Sequence, residues 1–554
     1  MISQIDKKDG EMKTNFFGKE ISGEFTIPSG IITTNVSIIK KIIKEIPQIG
    51  VITTKSIGLE PKWGNREPII TQYAPSCFSN AVGLTNPGAE EFAKQLSDVT
   101  IPNDRFLLIS IFGKDENEFV EVAKKLEKYA DGFELNLSCP HAKGYGMAIG
   151  QDPIMVKQIV SAVKNAVNKP IVAKLTPNAP SIADIAKAAV EGGADGICAI
   201  NTVGPGYYTV EGNPVLSNKK GGLSGKGIFP IGLKCVKEIS EAVSVPIIGC
   251  GGVSSSNDVK EYKKAGATII GIGSALYGLS TKELKNYFSE LEKNLESENN
   301  SNSAEKLLRE EMIMNFKKFK LKENKKLADD LSILIFEGNF DIKAGQFIFL
   351  WIPGEGEKPF SVLDNTPLTL LIQKVGCFTE KLVNLKEGTA VYFRGPYGVP
   401  IEVKGKPKII LVGGGCGNAA LYQIAKDFEN TEMFFGARDK NHLCYTEQIK
   451  KHCPLEISTN DGSEGYKGFV TEILEKRLRE IKEKDVLFFN CGPEVMINAA
   501  KKVERKYFSA DKIFNSIDYK TKCGVGICGS CATKNGKRIC VDGPFINEGE
   551  ENEN

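Results

Sequence analysis

Eight short apolar runs, most of them followed by an amphipathic helical stretch, fill the first half of the chain and constrain its fold more than any other feature. The runs fall at 30–34, 49–53, 105–111, 132–137, 170–175, 196–200, 245–249 and 267–272. Helical patterns lie between most of them, for example 118–129, 153–167 and 182–191. Strands separated by crossover helices pair in parallel. Eight such units predict a closed (β/α)8 barrel over residues 1–291, with an open doubly wound sheet as the alternative. The unusual residues favour the barrel. Lys55, Cys139, Lys174, Asn201, Gly251, Gly252, Gly273 and Ser274 each sit at or just past the end of one of these strands. In a barrel those ends converge on one face, where active sites form. The turns Gly249-Cys-Gly-Gly252 and Gly271-Ile-Gly-Ser274 follow strands seven and eight. Bare backbone N–H groups at such turns suit a phosphate.

After a helical pattern at 281–291 the chain turns polar, and 292–304 reads as a linker. Residues 305–404 alternate as antiparallel strands at 332–337, 346–352, 368–374 and 390–393, a β-rich domain. Residues 405–510 read as a nucleotide-binding α/β unit, with a strand at 408–411, the turn Gly413-Gly-Gly-Cys-Gly417, a helix, and a strand at 432–436. The piece 511–547 is too short for its own core and needs a staple, and 548–554 is an acidic tail.

Cysteine supplies the staple. The chain holds 14 cysteines against 3 histidines, His141, His442 and His452, which excludes a multi-histidine metal centre. Cys523-x4-Cys528-x2-Cys531, followed by Cys540, has the plant-type 2Fe–2S spacing. Four thiolates also suit zinc, but zinc ribbons separate two Cys-x2-Cys knuckles by a longer stretch. Gly524, Gly526 and Gly529 lie between the ligands, where backbone must fold tightly around an inorganic core. Such a cluster moves single electrons and needs donors and acceptors nearby, a role that flavins fill. A formal charge of +2, from 71 basic and 69 acidic residues, gives no pull toward nucleic acid or an anionic membrane. The first twenty residues lack an apolar core, and no run approaches the roughly 18 apolar residues of a spanning helix. The expectation is a cytoplasmic protein with small-molecule partners.

Several motifs carry a resemblance. Tyr73-Ala-Pro-Ser-Cys-Phe-Ser-Asn-Ala-Val-Gly-Leu-Thr-Asn-Pro-Gly88, Glu134-Leu-Asn-Leu-Ser-Cys-Pro140, Lys174-Leu-Thr-Pro-Asn178, Gly221-Gly-Leu-Ser-Gly225 and Ile247-Ile-Gly-Cys-Gly-Gly252 resemble the catalytic subunit of class 1B dihydroorotate dehydrogenase. Lys358-Pro-Phe-Ser361, Asn460-Asp-Gly-Ser-Glu-Gly-Tyr-Lys-Gly-Phe-Val470, Cys491-Gly-Pro493 and Cys540-Val-Asp-Gly-Pro544 resemble its electron-transfer subunit. The resemblance therefore implies two subunits fused in one polypeptide, the (β/α)8 barrel being followed by a ferredoxin-reductase-like β-barrel, a nucleotide-binding α/β domain and a small 2Fe–2S domain. It implies oxidation of dihydroorotate to orotate in pyrimidine biosynthesis, with electrons passing from FMN through 2Fe–2S and FAD to NAD+.

Roles follow from the same resemblance. Cys139 matches the base that removes the C5 proton, and Lys174 the lysine beside the flavin. Lys55, Asn80, Ala81, Val82, Gly83, Leu84, Asn136, Asn201 and Thr202 match residues that hold the substrate. Ser29, Lys55, Ser56, Asn136, Lys174, Ile200, Gly225, Gly251, Gly252, Gly273 and Ser274 match the FMN site. Lys358, Pro359, Phe360, Ser361, Leu371, Ile372, Gln373 and Thr379 match FAD-binding segments, while Gly413–Gly417 and Cys491-Gly-Pro493 match the nicotinamide side. Two-subunit relatives assemble as paired heterodimers, so the resemblance implies a homodimer.

The chain departs from the pattern at His141, where Asn is usual, at Lys358, where Arg is usual, and at Phe378, where Gly is common. Its turn Gly413-Gly-Gly-Cys-Gly-Asn-Ala-Ala420 lacks the usual Ile and Pro. The segment Gly144-Tyr-Gly-Met-Ala-Ile-Gly-Gln-Asp152 also resembles dihydropyrimidine dehydrogenases, but Ile149 stands where that family carries its acid/base cysteine. A dihydropyrimidine dehydrogenase-type reductase, and an electron-transfer module serving a protein acceptor such as ferredoxin, are the alternative readings.

Overall fold

The computed structural model describes residues 14–137, 147–297, 303, 306, 308, 309, 311–517 and 520–551. They form two compact units. One comprises Met1–Ile313 with Val525–Ala532, the other Met314–Gly524 with Thr533–Asn554.

The first unit is a closed barrel of eight parallel strands. In chain order these are Phe25–Thr26, Val51–Thr53, Phe106–Ile111, Gly132–Asn136, Ile171–Lys174, Gly196–Ala199, Ile247–Cys250 and Ile269–Gly271. Seven coincide with the runs read from the sequence; the first does not. Residues 30–34 were expected as strand one because of the β-branched run Ile31-Ile32-Thr33-Thr34, yet Ile32 and Gly30 take left-handed φ values of 56° and 88°. The strand is instead Phe25–Thr26, registered on Ile270, Gly271 and Val51. Pro28, which has no N–H for a ladder, follows it at once.

Alternation along each strand sorts the side chains. Ile171 and Ala173 join the core between strands and helices, with Phe133, Leu135, Ile197 and Ala199. Val172, Cys198, Ile248 and Cys250 point into the barrel with Val51, Phe106 and Leu108. Burying such a side chain fully contributes about 1.5–3 kcal/mol. The short hairpin Thr14–Phe16 and Lys19–Ile21 adds Phe16 and Ile21 to this inner cluster. Helix starts are locked by side-chain caps: Asp115 accepts from Glu118 N, and Ser255 and Ser280 each form a reciprocal capping box. Loops after strands two and six carry a four-stranded antiparallel sheet, Ile70–Ala74, Cys77–Asn80, Lys220–Gly225 and Val203–Tyr207. The helix Thr281–Glu296 continues into the segment expected to be linker.

The second unit contains two seven-stranded sheets. The antiparallel sheet runs in the order Gly356–Ser361, Phe347–Ile352, Ala390–Tyr397, Lys317–Ala328, Leu331–Phe336, Leu368–Gln373 and Asp364–Asn365. The other has the order Tyr466–Lys467, Leu455–Thr459, Thr431–Ala437, Lys408–Gly414, Val486–Cys491, Ile513–Ser516 and Ile546–Asn547, parallel except at its last strand. Strand order reverses between Lys408–Gly414 and Val486–Cys491, which is where open α/β sheets bind ligands. The stretch from 511, read from sequence as a separate piece, adds Ile513–Ser516 and Ile546–Asn547 to this sheet. Among the described residues no helix is long and apolar enough to cross a membrane.

Candidate functional site

The strand ends of the first unit open into one cavity. Lys55 and Ser56 follow strand two, Asn136 ends strand four, Lys174 ends strand five, and Ile200, Asn201 and Thr202 follow strand six. Gly251 and Gly252 follow strand seven, Gly273 and Ser274 strand eight. Ser29, Asn80, Val82, Gly83, Leu84 and Gly225 complete the expected set around the same space. Ala81 does not line it. That residue is fully buried, with its N–H donating to Ile69 O at 2.8 Å. Cys139 and His141 lie outside the described residues. Ile149 is buried in the core around the barrel.

Polar groups in the cavity are tied to one another. Asn136 Nδ2 donates to Ser56 Oγ at 2.9 Å, and Asn201 Nδ2 donates to Asn136 Oδ1 at 3.3 Å. Asn201 Oδ1 accepts from Thr202 N at 2.8 Å. Each amide keeps one fixed orientation, which a planar ring with alternating donors and acceptors requires. Lys174, 3% exposed, donates to Ser29 Oγ at 2.8 Å and faces Glu134 at 3.4 Å. Burial pulls the ammonium down, but the Glu134 carboxylate, with smaller contributions from Cys198 and Cys250, outweighs it and holds Lys174 above its ordinary value. A buried lysine that stays charged is a fixed positive potential at this end of the barrel.

Glycine shapes the far end. At Gly225, with φ 96°, a Cβ would meet Ser76 O at 2.0 Å; at Gly252, with φ 78°, it would meet Gly225 O and Phe229 N at 2.8 Å. Tyr262 OH donates to Gly251 O at 2.7 Å and props the turn from below. Beyond Gly225 the chain enters a short turn and the helix Phe229–Ala242. Backbone this close admits no side chain, and it leaves room for the phosphate of a flavin mononucleotide. The residues present fit that cofactor.

The second unit distributes its candidates differently. Lys358, Pro359, Phe360 and Ser361 lie on the strand Gly356–Ser361, with Lys358 exposed. Leu371, Ile372 and Gln373 end the strand Leu368–Gln373; Leu371 and Ile372 are buried, and Ile372 lies within the core. Thr379 Oγ1 accepts from Val375 N at 2.8 Å and Gly376 N at 3.0 Å, closing its own turn at the start of Cys377–Val383. At the strand-order reversal two glycine turns interlock. A Cβ on Gly417 would meet Cys491 O at 2.2 Å, and one on Gly492, with φ 152°, would meet Gly414 O at 2.8 Å. Cys416, within the first of these turns, lies with its Sγ 3.8 Å from Gln373 Oε1, and burial pushes its thiol up to about 12.

Of the four spaced cysteines, Cys528 and Cys531 belong to the first unit, and Cys523 and Cys540 to the second. Among the described residues no group of three or more His, Cys, Asp or Glu side chains is set to hold a single metal ion. The spacing of the four cysteines along the chain suits an iron–sulfur cluster. Gly524, Gly526 and Gly529 all have left-handed φ, at 80°, 73° and 66°. A Cβ on Gly529 would collide with Thr34 Oγ1 at 1.8 Å.

Sequence reasoning missed several cavity residues. Glu134, which is buried and pairs with Lys174 without lining the cavity, escapes it too. Its place before Asn136 on an alternating strand was the available signal, since both must face inward. Ile527 and Cys528 also line the cavity. No local pattern announces this, because the contacts join positions almost 500 residues apart, as in Ile32 N to Ile527 O.

Comparison with known proteins is consistent with this geometry. Residues 11–295 match the family model described as dihydroorotate dehydrogenase. Residues 411–502 match that of an oxidoreductase NAD-binding domain, and 520–550 that of the iron–sulfur cluster binding domain of dihydroorotate dehydrogenase B. The catalytic subunit of dihydroorotate dehydrogenase B (NAD(+)) from Methanocaldococcus jannaschii is 47% identical over 270 residues, 48% of this chain and 87% of that protein. The same subunit from Pyrococcus horikoshii is 43% identical over 270 residues, covering 48% and 86%. A solved structure of an NADH-dependent reduced ferredoxin-NADP oxidoreductase is 27% identical, covering 42% of this chain and 88% of its own, at a TM-score of 0.39.

Proposed function

Because the chain belongs to the dihydroorotate dehydrogenase family, we propose that it is a fused enzyme that oxidises dihydroorotate to orotate and delivers the electrons to NAD+. The observation that carries this reading is the single cavity where Lys55, Asn136, Lys174 and Asn201 meet the glycine turns at Gly225 and Gly252. When bound, FMN would supply a hydride acceptor for C6 of the substrate, and a 2Fe–2S cluster and FAD would supply electron carriers toward the nicotinamide.

The chain's own residues do the rest. In this reading the Cys139 thiolate removes the C5 proton; a thiol with an ordinary value near 8.5 is a workable base close to neutral pH. Asn136 and Asn201, locked by their mutual hydrogen bond, orient the ring amides, with Asn80, Thr202 and the run 81–84 around them. Lys55 pairs with the substrate carboxylate. Lys174 stays protonated beside Glu134 and stabilises negative charge that builds on the reduced flavin. Ser29, Ser56, Ile200, Gly251, Gly273 and Ser274 complete the FMN site.

In the second unit, Lys358 to Ser361, Leu371 to Gln373 and Thr379 hold FAD, and the turns Gly413–Gly417 and Cys491-Gly-Pro493 receive NAD+. Cys523, Cys528, Cys531 and Cys540 ligate the cluster. The reading assigns 305–404 to FAD, 405–510 to the nucleotide and 511–547 to the cluster, and takes the enzyme to be a cytoplasmic homodimer.

The test is anaerobic turnover of the purified chain with dihydroorotate and NAD+. Orotate and NADH should appear in equal amounts, and Cys139→Ala should lose about 10²–10⁴-fold in rate. Reduction of uracil by NADH without dihydroorotate oxidation would overturn the substrate. Turnover only with an added protein acceptor would overturn NAD+.

A further inference from the structure

The second unit contains a sealed ionic network that neither the flavin nor the nucleotide residues require. Arg394 and Glu357 are 0% and 1% exposed. The guanidinium grips the carboxylate with two parallel bonds, Nε to Oε1 and Nη2 to Oε2, both 2.6 Å. Its remaining nitrogen, Nη1, donates to Tyr397 OH at 2.9 Å and to the carbonyl oxygen of Cys523 at 2.9 Å. The guanidinium also lies 4.0 Å from the centre of the Phe349 ring. Gly524, the next residue, is pressed into the same cage: a Cβ there would meet Phe349 Cε2 at 2.9 Å and Arg394 Nη1 at 3.1 Å. Just past the end of the same strand, Gly398 N donates to the carbonyl of Cys540 at 3.2 Å. The strand Ala390–Tyr397 and its exit turn therefore hold the backbone of two of the spaced cysteines.

We propose that Arg394 is the positioning residue of Cys523, a fixed strut between the strand Gly356–Ser361 and the first cluster ligand. This rests on reading Cys523 as a ligand. Charge burial without a ligand role is the competing explanation, and it fails to account for the third arm. A bidentate pair with Glu357 already satisfies the carboxylate, yet Nη1 is spent on the one carbonyl that orients Cys523. Glu357 directly precedes Lys358 on an alternating strand, so Glu357 faces inward to the strut while Lys358 faces out. Only arginine has the planar fork to make both connections; lysine offers one point charge.

The experiment uses the full chain, purified anaerobically with its cofactors, and reads iron, sulfide and FMN content together with the EPR spectrum and midpoint potential of the cluster. Arg394→Met combined with Glu357→Met removes both charges at once and leaves no stranded carboxylate. This pair should keep FMN at the wild-type ratio while iron and sulfide fall and the residual cluster signal shifts. Arg394→Lys should restore iron content but leave the midpoint displaced from wild type. Full iron with a superimposable spectrum in the double variant would overturn the proposal. If the double variant loses FMN as well, Glu357→Gln decides. It keeps an acceptor for the fork and removes one negative charge, so the cluster potential should rise; an unchanged potential overturns the strut. Failure of the underlying reading looks different, because Cys523→Ser would then retain its full cluster.

Discussion

Two buried cation–carboxylate pairs invite comparison, one in each unit. Lys174 and Glu134 touch at 3.4 Å through a single contact, and Lys174 also reaches Ser29 at the edge of a cavity. Arg394 and Glu357 close at 2.6 Å through two bonds, with every neighbour packed against them. The longer pair sets its cation at the wall of the cavity; the closed pair has its cation enclosed by protein. Desolvation is costly in both, and a buried pair is weak evidence for stability by itself. What differs is the return: a potential aimed into a binding site in the barrel, a fixed geometry in the second unit.

That contrast can be broken. Arg394→Met strands Glu357 where water cannot reach it and should destabilise the second unit by about 3–5 kcal/mol in denaturant titration. An effect below about 1 kcal/mol would mean that the sealed network relaxes easily. Lys174→Met also strands a carboxylate, Glu134, but one held by a longer contact of 3.4 Å. Its stability loss should therefore be the smaller of the two, whereas flavin reduction by dihydroorotate in stopped flow should slow by about 10²–10³-fold. A reversed pattern, stable Arg394→Met and unfolded Lys174→Met, would invert the assignment of the two pairs.

Glu504 is a third buried carboxylate, without any bidentate partner. It is fully buried, accepts from Asn490 Nδ2 at 2.9 Å, and its Oε1 has no hydrogen bond among the described residues. Burial pushes its carboxyl up to about 8. The native state then holds a proton that the unfolded chain releases near pH 4.3. Stability should fall as pH rises from about 5 to 8, by at most roughly 1.4 kcal/mol per pH unit from this group. Glu504→Gln should flatten that slope in parallel melts; an unchanged slope would assign it elsewhere. The smallest effect belongs to a half-buried helix start. Ser280→Ala removes the capping box with Glu283 and should cost about 1 kcal/mol.

The parts legible in sequence were those with local cause. Short apolar runs, with period-3.6 patterns between most of them, located seven barrel strands because burial on both sides of a parallel sheet writes itself into consecutive residues. The run Ile31 to Thr34 misled for the same reason: propensity records what suits a strand, while the left-handed φ of Ile32 is imposed by contacts elsewhere. Lys55, Asn136, Lys174 and Asn201 were recognisable one by one from motifs and strand ends. Ala81 was not separable from its neighbours, since only the fold reveals which residue of a loop turns inward.

By itself the sequence determined the alternation that makes a barrel, the cysteine spacing and the glycines at turns where no Cβ fits. These are properties of neighbouring residues. The tertiary structure alone decided that Ile32 meets Ile527, that Arg394 reaches past its carboxylate to Cys523, and that Lys174 shares its cavity with Ser29. Such contacts join residues whose separation along the chain carries no pattern, and only packing brings them together.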